Sequence, residues 1–72
     1  MKPEDMAWVE QNYAAAVALV CTTKRTELKV IQSTLKATYT RAAELIDRMT
    51  REGIISEPMS NGRRKILVEI LP

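Results

Sequence analysis

The sequence predicts a mainly α fold with a small β-hairpin, arranged as a winged helix-turn-helix of three helices plus a wing. Apolar residues recur at helical spacing in three stretches, and the third stretch, residues 38–53, has recognisable ends. Thr38 is a suitable N-cap, and Gly53 can adopt a positive φ just beyond the last turn. After Gly53 the helical spacing gives way to two apolar runs, at residues 54–55 and 66–71, on either side of Asn61-Gly62. This dipeptide is typical of tight hairpin turns with positive φ at both central residues.

The first helix is expected to begin near Pro3, because proline tolerates the first turn and the two acids that follow favour the positive end of the helix dipole. It runs to about Thr23, with a break near Gln11-Asn12 left open. Its predicted buried stripe consists of Met6, Val9, Tyr13, Ala16, Val17 and Val20. Trp8 lies off this stripe, and it covers an edge of the core or, alternatively, anchors a dimer contact.

The second helix is predicted over residues 27–35, with Thr26 as its N-cap. The third is predicted to bury one stripe that starts with Tyr39. The remaining members of that stripe are Ala42, Leu45, Ile46 and Met49. The opposite face is charged, and exposed ion pairs between Glu44 and Arg48 and between Asp47 and Arg51 are the alternative to a binding role for it.

Length and composition favour one globular domain over residues 1–72, with residues 1–12 as an N-terminal extension of the first helix. The chain is 46% apolar and 28% charged, which is a globular composition. The net charge of +2 is unevenly distributed: residues 1–23 carry a net −2 and residues 24–72 a net +4. This asymmetry is consistent with polyanion binding, although an ordinary solvated surface also produces it.

Several function classes are disfavoured by what the sequence lacks. It has no histidine and one cysteine, so neither a metal site nor an internal disulfide is expected. Two glycines cannot form a phosphate-binding loop, and no activated nucleophile is present, so we expect no enzyme and no cofactor. No apolar run reaches membrane-spanning length, and no signal peptide is recognisable. We therefore expect a cytoplasmic, nucleoid-associated protein that does not contact membranes.

Several stretches together carry a family resemblance. They are Tyr13-Ala14-Ala15-Ala16-Val17, Tyr39-Thr40-Arg41-Ala42-Ala43 with Leu45-Ile46 and Met49, Gly53-Ile54-Ile55-Ser56-Glu57-Pro58, Asn61-Gly62 and Leu67-Val68. Residues 13–68 thereby resemble the gamma domain at the C-terminal end of the bacterial DNA translocases FtsK and SpoIIIE, a winged-helix module that binds short polarity sequences in duplex DNA. The family usually has asparagine at the position of Thr40 and arginine at that of Glu44, so the resemblance implies backbone binding more firmly than the family's target sequence.

Candidate site residues follow from helix-turn-helix docking, in which the start of the recognition helix meets base edges and basic side chains hold phosphates. The predicted base-facing residues are Thr38, Thr40, Arg41 and Glu44. The predicted phosphate contacts are Lys24, Arg25, Lys36, Arg63, Arg64 and Lys65.

The sequence therefore predicts a sequence-preferring double-stranded DNA-binding protein, acting as a regulator of transcription or as an accessory factor for DNA recombination or segregation. The alternative is a protein-interaction module that binds another protein, for which the resemblance implies a tyrosine recombinase of the XerD type. We expect a monomer or weak homodimer. Met1 before an acidic first helix indicates a natural start, which favours a small stand-alone protein encoded by a phage or other mobile element.

Overall fold

The computed structural model describes residues 2–68 of the chain. These residues form three helices: α1 spans Pro3–Thr23, α2 spans Leu28–Leu35 and α3 spans Tyr39–Arg51. Each helix contacts both others, and α3 packs most extensively, against α1 and α2. The mainly α class predicted from the sequence is confirmed.

Helix α1 begins at Pro3, as predicted, and continues through residues 11 and 12 without a break. The Asn12 side chain donates to the Trp8 carbonyl oxygen at 2.8 Å, a bond that runs along the helix. The predicted stripe is buried at Val9, Ala16 and Val20, but Met6 is 50% exposed. The expectation for Met6 is wrong because the core begins one turn later, at Val9.

Helix α2 starts later than predicted, and its N-cap is Glu27 instead of Thr26. The Glu27 carbonyl oxygen accepts the N–H groups of Val30 and Ile31 at 3.1 and 3.3 Å. Its side chain makes no capping bond. Leu28, the first helical residue, packs against the core, whereas Thr26 and Glu27 precede the helix.

Helix α3 has the ends that the sequence predicts. The Thr38 hydroxyl accepts a hydrogen bond from the Arg41 N–H at 3.2 Å, and Gly53 adopts a φ of 77° beyond the last turn. The predicted stripe is buried except at Tyr39, which is 67% exposed. Tyr39 is the first helical residue and lies at the edge of the stripe, where the neighbouring helices leave it largely uncovered.

A single apolar core joins the three helices to the segment that follows them. Its buried members are Val9, Ala16, Val20, Ile31, Ala37, Ala42, Leu45, Ile46, Met49 and Ile55. Trp8 and Tyr13 of α1 pack on this core as partly buried residues. Trp8 therefore covers an edge of the core, one of the two roles considered for it.

Residues 54–68, the C-terminal segment, return along α3 and form one antiparallel bridge between Ile55 and Ile66. Two backbone bonds of 2.9 Å flank it, from the Ser56 N–H to the Lys65 carbonyl and from the Leu67 N–H to the Ile54 carbonyl. Within residues 2–68 this bridge does not extend into a strand. The β-hairpin stays a prediction, and the end of the run expected at residues 66–71 lies outside the described residues.

The turn of the C-terminal segment differs from the predicted one. The Gly62 N–H donates to the Met59 carbonyl at 2.8 Å, and the Met59 N–H donates to the Arg63 carbonyl at 2.7 Å. Gly62 has a φ of 82°, whereas Asn61 is not at positive φ. Asn61 Oδ1 instead accepts the Arg63 N–H at 3.0 Å. The loop is therefore longer than the two-residue turn expected for Asn61-Gly62.

Candidate nucleic-acid interface

An open groove with a basic rim lies between α3, the link from α1 to α2, and the tip of the C-terminal segment. It encloses about 770 Å³. Four of the six predicted phosphate contacts line it: Lys24, Arg25, Arg63 and Arg64. Two acids, Glu27 and Asp47, line the groove as well, so the lining has a net charge of +2. We call this feature the basic groove.

The lining of the basic groove is mostly charged or polar, with few apolar residues. Pockets for small organic ligands are usually lined mainly by apolar and aromatic side chains. A groove with clustered cations and an open side is better suited to a polyanion, because arginine and lysine side chains can each contact a separate phosphate there.

Arg64 lines this groove and also forms hydrogen bonds within the fold. Its Nη1 donates to the Thr50 hydroxyl at 2.7 Å and to the Ser56 carbonyl at 3.2 Å. These bonds fasten the C-terminal segment to the last turn of α3. Sequence reasoning assigned Arg64 to phosphate only, and the contact with Thr50 was not foreseen.

The outer face of α3 is the side turned away from the core, and it consists of Thr40, Glu44, Asp47 and Arg51, which share one side of the helix through their spacing of three and four. Arg51 donates to Asp47 at 2.9 Å and to Glu44 at 3.1 Å. The predicted Asp47–Arg51 pair is confirmed, but the predicted Glu44–Arg48 pair is wrong. Asp47 also borders the basic groove, which makes the two features continuous.

Arg41 lies apart from the outer face, although the sequence grouped it with Thr40 and Glu44. Its Nε donates to Asp5 Oδ1 of α1 at 2.7 Å, and its guanidinium carbon stands 5.4 Å from the centre of the Trp8 ring. Only 24% of the Arg41 side chain is exposed. The hydrogen bond from Arg41 holds the pKa of Asp5 below its usual value. A base-facing role for Arg41 stays a prediction, and it requires the guanidinium to leave these partners.

Arg48, two turns after Arg41, faces α1 in a similar way. It donates to Glu10 at 2.6 Å and to Glu52 at 3.2 Å, and its guanidinium carbon stands 4.5 Å from the centre of the Tyr13 ring. Arg48 is thus unable to pair with Glu44, because its side chain turns toward the first helix.

Tyr13 carries a buried hydroxyl beneath this arginine. The hydroxyl has no partner in good hydrogen-bonding geometry within the described part of the chain. Burial above all, and also the Glu52 carboxylate, raise the pKa of Tyr13 to about 12. The hydroxyl is therefore neutral at all ordinary pH values.

The remaining predicted site residues lie on exposed turns and helix ends. Thr38 and Thr40 are exposed at the start of α3, and Lys65 is exposed on the C-terminal segment. Lys36 is exposed between α2 and α3, in a left-handed conformation with a φ of 54°. Neither Lys36 nor Lys65 lines the basic groove.

Besides the contacts of Arg64 with Thr50 and of Arg48 with α1, sequence reasoning missed two further contacts. The contact of Arg51 with Glu44, added to its predicted pair with Asp47, was missed, and the spacing of seven residues was the available signal. No local signal existed for the contact of Asp5 with Arg41, because the two residues are 36 positions apart. Within residues 2–68, no helix is long and apolar enough to cross a membrane, and no three His, Cys, Asp or Glu side chains are grouped so as to hold a metal ion.

The Ftsk gamma domain family matches residues 9–69, which is most of the chain. The chain belongs to the FtsK gamma domain family. It is 45% identical over 58 residues to DNA translocase FtsK 2 of Neisseria meningitidis, and this alignment covers 81% of the chain and 6% of that protein. It is 42% identical over 64 residues to DNA translocase FtsK of Rhizobium meliloti, covering 89% of the chain and 7% of that protein.

The FtsK gamma match leaves the first turns of α1 outside it. DNA translocase FtsK of Rickettsia bellii is 38% identical over 59 residues, covering 82% of the chain and 8% of that protein. The chain thus spans less than a tenth of the length of these curated relatives. Asp5 and Trp8, which hold Arg41, precede the matched residues 9–69, whereas Glu10 and Tyr13, which hold Arg48, lie within them.

Proposed function

We propose that this chain is a sequence-preferring double-stranded DNA-binding module, with α3 in the major groove and the C-terminal segment acting as a wing on the DNA backbone. The relatives that it matches are named DNA translocases, and their names support DNA as the ligand class. The chain acts, in this proposal, as a regulator or as an accessory factor for DNA recombination or segregation.

The observation that carries the proposal is the continuity of the basic groove with the outer face of α3. Asp47 belongs to both, and the cations Arg25 and Arg63 line the groove from two different elements, the link after α1 and the C-terminal segment. A helix that enters the major groove has phosphates on both sides of it. Cations next to such a helix can contact these phosphates, and neutralising phosphates supplies much of the affinity for DNA.

Base selection, in this proposal, comes from the outer face of α3. Glu44 carries a carboxylate and can only accept hydrogen bonds, for example from the N4 amino group of cytosine. Arg51 holds that carboxylate at 3.1 Å and offers the remaining guanidinium donors to an acceptor such as a phosphate or guanine. The expected preference therefore differs from that of a family member with arginine at the position of Glu44.

The test compares two double variants that remove equal charge. Arg25→Ala with Arg63→Ala removes two cations from the groove, and Lys2→Ala with Lys29→Ala removes two exposed cations that do not line it. Binding to a labelled duplex is measured by fluorescence anisotropy at fixed salt. We expect the groove variant to bind at least about tenfold more weakly than the control variant, on the order of two lost phosphate contacts.

Equal losses in the two variants would show that only net charge matters, and the proposed site would then be wrong. The rival class is a protein-interaction module that binds a tyrosine recombinase of the XerD type. A chain that binds a recombinase but no duplex at low salt would replace the DNA proposal with that alternative.

A further inference from the structure

Two arginines of α3 are held by α1 through the same arrangement of side chains. Asp5 bonds Arg41 and Trp8 lies against its guanidinium, while Glu10 bonds Arg48 and Tyr13 lies against that one. In each case an acid is followed three positions later by an aromatic residue, and the two arginines are seven positions apart. Residues three apart share a helix face, so each pair presents a carboxylate and a ring to one guanidinium.

We propose that the first pair, Asp5 and Trp8, is an autoinhibitory contact that withholds Arg41 from DNA and so limits the affinity of α3. This inference rests on the proposed function. Asp5 takes the Nε donor of Arg41 that a phosphate oxygen or base acceptor would use, at 2.7 Å, and Trp8 covers one face of the guanidinium. DNA must displace the Asp5 carboxylate, or share the guanidinium with it, to contact Arg41.

The placement of this pair supports a role separate from the common scaffold. Asp5 and Trp8 precede the residues that match the family, whereas the pair on Arg48 lies within them. The acid also brings negative charge close to the start of α3, in a stretch, residues 1–23, that carries a net −2. The residues before the matched range therefore supply a carboxylate that competes with DNA, which is also negatively charged, for Arg41.

The test uses Asp5→Asn with Glu4→Gln as its matched control. Glu4 is the neighbouring acid in the same turn, is exposed and makes no ion pair with any described residue, so both variants remove one charge at the start of α1. Both are titrated with one duplex at one salt concentration. We expect Asp5→Asn to bind about two- to fivefold more tightly than Glu4→Gln, a range typical of the loss of one competing ion pair near the surface.

The gain must depend on Arg41, so both variants are also combined with Arg41→Ala, in which their affinities should become equal. Trp8→Leu is an independent test, because leucine keeps apolar contact with the core but removes the ring next to Arg41. This variant is also expected to bind the duplex more tightly than the wild type. In the wild type, Trp8 is the only tryptophan, so its emission should change when duplex is added and Arg41 leaves the ring.

Each outcome is decisive. Equal affinities of Asp5→Asn and Glu4→Gln, in a chain that binds duplex, would overturn this inference and leave the proposed function standing. Weaker binding by Asp5→Asn would also overturn it, since Asp5 would then orient Arg41 for contact. Failure of every variant and of the wild type to bind duplex at low salt would overturn both proposals.

Discussion

Arg64 donates from Nη1 to the Thr50 hydroxyl across 2.7 Å and so joins the C-terminal segment to α3. Thr50 in turn donates to the Ile46 carbonyl oxygen at 2.8 Å, which fixes the hydroxyl that receives Arg64. The second Arg64 bond, to the Ser56 carbonyl at 3.2 Å, lies beside the single bridge of the segment. Arg64, a predicted phosphate contact, therefore also positions the neighbouring residues Arg63 and Lys65.

Replacing Arg64 with alanine should lower the free energy of unfolding by about 1–2 kcal/mol, because two hydrogen bonds from a part-buried charged donor are lost. Arg63→Ala is the matched control, since its side chain is exposed and the change should stay within about 0.5 kcal/mol. Urea denaturation measures both. Equal stabilities of the two variants would mean that the Thr50 contact does not hold the segment.

The buried hydroxyl of Tyr13 predicts that its removal will not destabilise the fold. Tyr13→Phe should leave stability unchanged or raise it by up to about 1 kcal/mol, because a buried donor without a good partner costs desolvation and the ring beneath Arg48 is retained. Tyr39→Phe, at a side chain that is 67% exposed, is the control and should be neutral. A clear loss of stability in Tyr13→Phe alone would show that the hydroxyl bonds the Glu52 carboxylate in solution.

The Asp5–Arg41 contact predicts a pH dependence of stability. The pKa of Asp5 is lowered in the folded chain, so the folded state binds its proton less readily than the unfolded state, in which the ordinary value is about 3.9. The stabilisation is fully present above that value and is lost as the pH falls through the lower, folded-state pKa. The difference in unfolding free energy between wild type and Asp5→Asn, measured by urea denaturation from pH 6 downward, should therefore vanish in acid. A difference that is constant with pH would contradict the contact.

The sequence predicts α3 well because its determinants are local. The cap at Thr38, the positive φ of Gly53 and the burial of Leu45 and Met49 depend on spacing within one helix. The exposed Tyr39 and the late start of α2 were missed, because neighbouring elements decide how much of a helix end is covered.

The candidate site is less readable from the sequence than the fold. Four of the predicted phosphate contacts, from two distant stretches of the chain, line one groove. Charge clustering in the sequence indicated a basic surface but not that these four residues lie together. Arg41 and Arg48 each pair with an acid of α1, whereas the spacing rules applied within α3 paired Arg48 with Glu44. Contacts between elements follow from packing angles, which residue spacing within one helix does not encode.

Base preference is expected to reside in the outer face of α3. The resemblance to the gamma domain implies asparagine and arginine where this chain has Thr40 and Glu44. The double variant Thr40→Asn with Glu44→Arg should therefore shift preference toward adenine and guanine, the bases that these side chains contact best. Lys29→Arg is the control, because it keeps the charge of an exposed residue on α2. Sequences selected from a random duplex pool measure the effect. Identical selected sequences for wild type and double variant would locate specificity outside this face.

The salt dependence of duplex binding tests the central claim, that this chain binds DNA through its basic surface, most directly. With Arg64 committed to the fold, five predicted phosphate contacts remain: Lys24, Arg25, Lys36, Arg63 and Lys65. Titrations of one duplex between about 50 and 200 mM salt should give a slope of log affinity against log salt of about −3 to −5. A slope between zero and about −1, or no binding at the lowest salt, would contradict the claim.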